Sequence, residues 1–573
     1  MKNLRFKQLL LLSNSQKSAN QFKFKKKYNL IVADDNSVGK STLVKLLLWA
    51  LGCEPTLDNT WKSLDCKILL HFSIDGENYS VMRYANIIYW KKGKENYKKY
   101  TSISGEYSEM FTKLVNFNVL LPNRSENAEL VTPPPAYYFL PFYIDQKRSW
   151  STAWDNFEGL GQFGNWKPTV TKYHIGYFTS KHFEYEEEYY IEQIKIKDLN
   201  HSIQKIDYAL EVVSEHIPNK EMTLDKKVFD SMTLEIQQEL SILSKEQEAS
   251  LDHLSILTSD KVYLEHQKMI AEHLMKELDK DYIFSVENIK DDDVECPLCG
   301  TIHENSIVNR ASILADKEQA YHQLEDIKKK LTSINKKIQK QKSKTDDIKI
   351  KIDDINKKYM ITDDSEDIPL NEIIENFAYQ SIDRNINNTK KEKLSNINEA
   401  KGIQKDIKKK QKKLLTKERK DEINSSFIDL LTTYIKILDV EEINLSKIKT
   451  PLDYNGIVKE GGAAEGTRGI LAYYLSIFSL VDMYSDESKA PLIIDTPNQQ
   501  EQSDINYENI IKLITSKIPD NEQVILCAME NKILDEFKKN AHVIKLDKNK
   551  LLDETNYEEI KTIFDKIELH EDV

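Results

Sequence analysis

The chain has 573 residues, of which 30 % are charged, with a formal net charge of −12 and a mean hydropathy of −0.56. One globule is rarely so charged, so a globular part joined to a solvated coiled coil is expected, and the acidic balance excludes a global basic field for nucleic acid. Five cysteines (Cys53, Cys66, Cys296, Cys299, Cys527) make no disulfide framework, which points to a reducing compartment and the cytoplasm.

Leu9–Leu12 is too short for a signal or a membrane span and reads as a first β-strand. Residues 1–180 read as mixed α/β. Leu30–Ala33 is expected to be a strand, followed by the loop Asp34-Asp35-Asn36-Ser37-Val38-Gly39-Lys40-Ser41-Thr42 and a helix from Ser41 to Leu51 closed by Gly52. Gly39-Lys40-Ser41 carries phosphate chemistry. Backbone N–H groups at a helix start cradle phosphates, Lys40 neutralises β/γ charge and Ser41 ligates Mg²⁺. Position 34, where a glycine is usual, is Asp. Ile68–Ile74 and Tyr79–Arg83 flank Asp75-Gly76 and read as a hairpin. Pro133–Pro135 marks a loop before the apolar Tyr137–Ile144.

From about residue 183 the pattern becomes heptad. Ile196, Leu199, Ile203, Ile206, Leu210, Val213 and Ile217 form an a/d seam that Pro218 stops. Ile236, Leu240, Leu243, Leu254, Leu257 and Leu264 continue it, and Leu324, Ile327, Leu331, Ile334, Ile338, Ile348, Ile352, Ile355 and Tyr359 return after Cys296-Pro297-Leu298-Cys299-Gly300. A second break at 362–369 lies about as far after the cysteines as Pro218 lies before them. Two antiparallel arms meeting at a joint are expected, each of roughly 100 residues and on the order of 150 Å if fully helical. Separate helical bundles are the plainer alternative. A Cys-x-x-Cys is half of a tetrahedral thiolate site, so Cys296 and Cys299 are expected to share a Zn²⁺ with a second chain. His303 offers a single-chain alternative, and no thioredoxin-like context supports a redox pair.

In the C-terminal part, Gly461-Gly462-Ala463-Ala464-Glu465-Gly466-Thr467-Arg468 precedes an expected helix from Ile470 to Val481, a glycine-rich start able to face a γ-phosphate. Leu492-Ile493-Ile494 reads as a strand ending in Asp495, a candidate Mg²⁺ anchor.

Taken together, these motifs resemble an SMC-type ABC ATPase, a family that includes the ATPase of the double-strand-break repair nuclease. The resemblance implies an α/β ABC-type ATPase head built from both chain ends, with a long antiparallel coiled-coil insertion. It divides the chain into 1–180 (head), 181–290 (arm), 291–306 (zinc-hook apex), 307–430 (arm) and 431–573 (head). It implies that Asn36, Gly39, Lys40, Ser41 and Thr42 hold ATP, and that Gln146 senses Mg²⁺ and the γ-phosphate. Ser41 and Asp495 would hold Mg²⁺, with Asp495 and Gln146 catalytic. Gly466, Thr467 and Arg468, from the signature segment Ala464–Arg468, would act on a partner's ATP. Three departures stand out: Ala464 replaces the signature serine, Thr496 follows Asp495 where a glutamate orients water, and Cys527-Ala528-Met529-Glu530 stands where a histidine is expected. Gln499, Gln500 or Glu501 are the remaining candidates for orienting water, and slow ATP hydrolysis is expected.

Phe142–Gln146, the hook and Asp495-Thr496-Pro497 are most similar to the SMC-like subunit of Lamassu-type antiphage systems. That implies an effector nuclease and a small accessory subunit as partners, and a homodimer through heads and hook. Lys328–Lys330, Lys336-Lys337, Lys408–Lys410 and Lys412-Lys413 suggest non-specific contact with double-stranded DNA. No membrane partner is expected. DNA repair or recombination, or a tether that binds ATP with little turnover, are the alternatives.

Overall fold

The structure is a computed structural model. It describes residues 3–568 apart from 36–37, 59–60, 62–63, 125–128, 217–233, 288–292, 296–301, 305–306, 359–369, 442, 459–462, 499–501 and 548–550. The chain divides into two compact units: Met1–Tyr190 with Lys405–Val573, and Ile191–Gln404.

The first unit holds two sheets. One is antiparallel, with strands β1 (Leu4–Ser13), β2 (Ser18–Lys23), β4 (Cys66–Ile74), β5 (Glu77–Tyr84), β6 (Ile87–Lys92) and β7 (Lys98–Tyr100) in the order β2-β1-β4-β5-β6-β7. The β4–β5 turn is the expected Asp75-Gly76, both at positive φ (52° and 87°), as a two-residue hairpin requires. The second sheet is parallel: β8 (Tyr143–Ile144), β11 (Leu492–Asp495), β12 (Val524–Met529), β3 (Tyr28–Ala33) and β13 (Ala541–Leu546), in the order β8-β11-β12-β3-β13. Strands β3 and β11 are buried throughout, the continuous apolar run a covered parallel sheet demands. An N-terminal strand thus sits between two C-terminal ones, so the head is built from both chain ends. Its core includes residues from α1 (Lys40–Ala50), α2 (Trp166–His174), α7 (Lys417–Ile437), α8 (Ala463–Tyr484) and α9 (Asp504–Lys517). Helix α10 (Tyr557–Glu568) covers the other face of the antiparallel sheet through Tyr557, Ile560, Phe564 and Ile567.

The second unit is helical. The division falls inside α3 (Ser180–His216) and α6 (Leu370–Leu414), and between them run α4 (Leu234–Glu287) and α5 (Ile307–Lys358). The insertion is antiparallel: Leu254 and Leu257 pack with Ile334 and Ile338, Ser250 Oγ meets Thr345 Oγ1 at 3.0 Å, and Lys390 on α6 bonds Asp207 on α3 at 2.6 Å. In each pair the partners stand nearly equally far in sequence from Pro297-Leu298. The arms are not single rods, however. Tyr263 of α4 meets His201 of α3 at 5.2 Å between rings and Lys205 at 4.4 Å, and Leu251 of α4 packs on Ile382 of α6. In a continuous arm residues 201 and 263 would stand on the order of 90 Å apart. The expected 150 Å arm is therefore corrected to helices that double back and pack together. A heptad seam states which face is apolar, not which helix covers it.

Short strands β9 (Asp293–Glu295) and β10 (Ile302–Glu304) pair antiparallel on either side of the cysteine segment. Cys296 and Cys299 lie outside the described residues, as do the breaks at Pro218 and 362–369. Among the described residues no group of three or more His, Cys, Asp or Glu is placed to hold a metal, and no helix is long and apolar enough to cross a membrane.

Candidate functional site

The loop after β3 enters α1 through Gly39, whose φ of 104° favours glycine. A Cβ there would also stand 2.8 Å from Leu551 Cγ, so a residue from beyond β13 is packed on the loop. Helix α1 starts at Lys40 with no side-chain cap and no acidic residue in its first turn. Its first N–H groups have no intrahelical acceptor and suit an anion.

A cleft of about 710 Å³ opens there, lined by Gly39, Lys40, Ser41 and Thr42 of α1 and its cap, by Gln146 and Thr496, and by Lys45, Met529 and Leu551. Lys40 is buried; its Nζ donates to the Asp35 carbonyl at 3.0 Å and lies 3.1 Å from Met529 Sδ. Burial lowers its pKa. Ser41 Oγ stands 2.9 Å from Gln146 Oε1 and 3.0 Å from Asp495 Oδ1. One hydroxyl proton cannot serve both acceptors, and Asp495 Oδ2 is buried without a hydrogen-bond partner. Three oxygens converging with surplus acceptor capacity suit a hard divalent cation.

The strands and loops explain this meeting. Asp495 ends β11 opposite Cys527 of β12, and β8 beside it delivers the loop from Asp145 to Ser149. That loop is fixed by Asp145, whose carboxylate accepts from Tyr143 Oη (2.7 Å), Lys147 N (2.9 Å) and Arg148 N (3.0 Å). Burial raises the Asp145 pKa, but the Lys45 ammonium and these bonds outweigh it and hold it low. Thr496 takes a φ of 59°, uncommon for a β-branched residue, and its Oγ1 reaches Asp495 Oδ1 at 3.2 Å.

Gly39, Lys40, Ser41, Thr42, Gln146 and Asp495 are thus brought together. Gly466, Thr467 and Arg468 are not among the residues that line the cleft. Helix α8 begins at Ala463, not after the glycine-rich run as expected, so these three lie within its first two turns. Arg468 is buried, donating to Gln502 Oε1 (2.6 Å) and the Asp439 carbonyl (2.8 Å), while Gln502 Nε2 donates to Thr467 Oγ1 (3.0 Å). Asn36 and Gln499–Glu501 lie outside the described residues. Sequence reading missed Lys45 and Leu551, and met Met529 only within the segment standing where a histidine was expected. A lysine one turn after Gly-Lys-Ser was the available signal for Lys45; Leu551 comes from a distant segment and carried none.

No family model matches the chain. It is 26 % identical over 560 residues to the Lamassu protein LmuB of Bacillus cereus, covering 92 % of this chain and 91 % of that protein. It is 23 % identical over 592 residues to a Lamassu protein LmuB of another Bacillus, covering 97 % and 98 %. Among solved structures, a Pyrococcus yayanosii Smc head domain with coiled coil and joint aligns over 99 % of this chain and 100 % of that one, at TM-score 0.38 and 12 % identity. The recombination mediator RecF with ATP aligns over 96 % and 97 %, at TM-score 0.28 and 10 % identity.

Proposed function

We propose that the chain is an SMC-like ATPase of a Lamassu-type antiphage system. It binds ATP with Mg²⁺ in the cleft at Lys40, dimerises through its heads, and clamps or senses double-stranded DNA in the cytoplasm to activate an effector nuclease. The convergence of Ser41, Gln146 and Asp495 beside Lys40 carries the ATP reading; the likeness to LmuB along nearly the whole chain supports the system. Lys40 and the start of α1 hold the phosphates, and Thr42 extends that cradle. Ser41 and Asp495 would hold Mg²⁺, and Gln146 would report on it. The cation supplies charge neutralisation on the phosphates. Thr496 offers no carboxylate to draw a proton from water, so turnover is slow. Thr467 and Arg468 face a partner's nucleotide only if they exchange their bonds to Gln502.

Calorimetry of Lys40→Ala should find ATP binding abolished with the melting temperature unchanged; retained binding would misplace the site. DNA retention should fall roughly a thousandfold between about 50 and 200 mM salt if about six phosphates are contacted, and a salt-insensitive curve would count against clamping. Cys296 and Cys299 should hold one Zn²⁺ per two chains, because each chain offers two thiolates and a structural site wants four ligands. Elemental analysis beside native mass reads that ratio, and one zinc per chain would point instead to a closed site using His303. A tether with little turnover is the second reading, favoured by Thr496 and by Cys527-Ala528-Met529-Glu530 standing where a histidine is expected. Steady-state hydrolysis with and without linear DNA separates the two.

A further inference from the structure

Lys45 stands one turn after Ser41 on the same face of α1 and is buried. Burial strips an ammonium of several kcal/mol of hydration, a cost that only a well-placed partner offsets. Lys45 is held from two sides: Nζ lies 3.3 Å from Asp145 Oδ1 and donates to the Thr56 carbonyl at 2.9 Å. Asp145 in turn accepts from Tyr143, Lys147 and Arg148, and its own N–H donates to Ser149 Oγ at 2.8 Å. Gln146 therefore sits in a loop whose only ammonium link to α1 among the described contacts is Lys45. Thr56, with Leu57 and Trp61, belongs to a second stretch of the cleft wall.

We infer that Lys45 is a positioning residue, which ties the Gln146 loop and the Thr56 wall to the phosphate-loop helix and so keeps Gln146 Oε1 on Ser41 Oγ for the divalent cation. This rests on the ATP reading of the cleft. A buried ion pair is a weak source of stability, and apolar replacements of whole pairs are often neutral or better. What the pair supplies is direction: Asp145 can satisfy Lys45 only with its loop laid against α1.

The test titrates ATP into full-length wild type, Lys45→Met, Lys45→Arg and Lys40→Ala by calorimetry across a Mg²⁺ series, beside thermal melts. In Lys45→Met the Mg²⁺ giving half-maximal enhancement of ATP binding should rise about 10–100-fold, the scale on which groups behind metal ligands act. Lys45→Arg should recover most of the shift. Should Lys45→Met not fold, Lys45→Gln, which keeps a donor for Thr56 and no charge for Asp145, is read the same way. An unchanged Mg²⁺ requirement, with or without a lower melting temperature, overturns the inference while leaving the site in place if Lys40→Ala has lost ATP. ATP still bound by Lys40→Ala overturns the reading of the cleft and the inference together.

Discussion

Burial pushes the Asp495 carboxyl from 3.8 up to about 6; the Ser41 hydroxyl opposes the shift and the Asp145 charge adds to it. A carboxyl whose folded pKa exceeds its unfolded value favours folding while protonated. That contribution is whole below about pH 4 and lost as pH rises through about 6. A shift of about two units corresponds to about 3 kcal/mol. Without Mg²⁺ and nucleotide, Asp495→Asn should therefore be more stable than wild type near pH 7 by up to about 3 kcal/mol, with no difference near pH 4. Melting curves across that range decide it, and a constant difference would remove titration as the cause. The same variant should lose Mg²⁺-dependent ATP binding. Lys40, Ser41 and Asp495 were legible because each belongs to a local pattern, a strand followed by Gly-Lys-Ser and a helix, or an apolar run ending in Asp. Lys45 was less so, because a lysine inside a helix ordinarily reads as solvated, and the partners that hold it buried, Asp145 just after β8 and the Thr56 carbonyl, are brought to it only by the fold.

Among the elements, the α4–α5 pair shows what heptads do and do not carry. Part of the apolar seam was legible: Leu254, Leu257, Ile334 and Ile338 were expected at the interface and pack there. The doubling back of α3 on α4 was not, since Tyr263 has the same helical phase whether water, a second chain or His201 covers it. Inside the seam is a polar node. Gln341 Nε2 donates to Ser250 O (3.2 Å) and to Ser250 Oγ (2.9 Å), which also meets Thr345 Oγ1. Polar groups at such positions fix register at a cost in stability. Replacing Ser250 by Ala and Gln341 by Leu should raise the melting temperature of the helical unit yet admit a pairing shifted by one heptad. Disulfide trapping between cysteines introduced at Leu254 and Ile338, against a pair offset by seven residues, reads the register. An unshifted pattern would make the node dispensable.

At the level of the molecule, the first unit closes on itself without the second. Near the division Lys408 Nζ bonds Glu186 Oε2 at 3.1 Å and Gln411 Nε2 bonds the same carboxylate at 2.6 Å, so the two strands of chain run side by side there. Joining Tyr190 to Lys405 through a short glycine-serine turn should give a folded head that melts cooperatively and binds ATP in calorimetry as the full chain does. Failure to fold would mean that residues 191–404 stabilise the head. The two-ended head was legible because a phosphate loop near residue 40 and an Asp-terminated strand near 495 make sense only together. The strand order was not, since nothing local in Tyr28–Ala33 says that its neighbours are β12 and β13. That placement has a consequence for synthesis. Strand β3 leaves the ribosome about 490 residues before β12 does, which at roughly 5–20 residues per second is on the order of 25 to 100 s. Through that interval both of its edges lack their partners. A chain cut short anywhere in the helical unit never obtains them, so the cleft at Lys40 cannot assemble until β12 and β13 have been made.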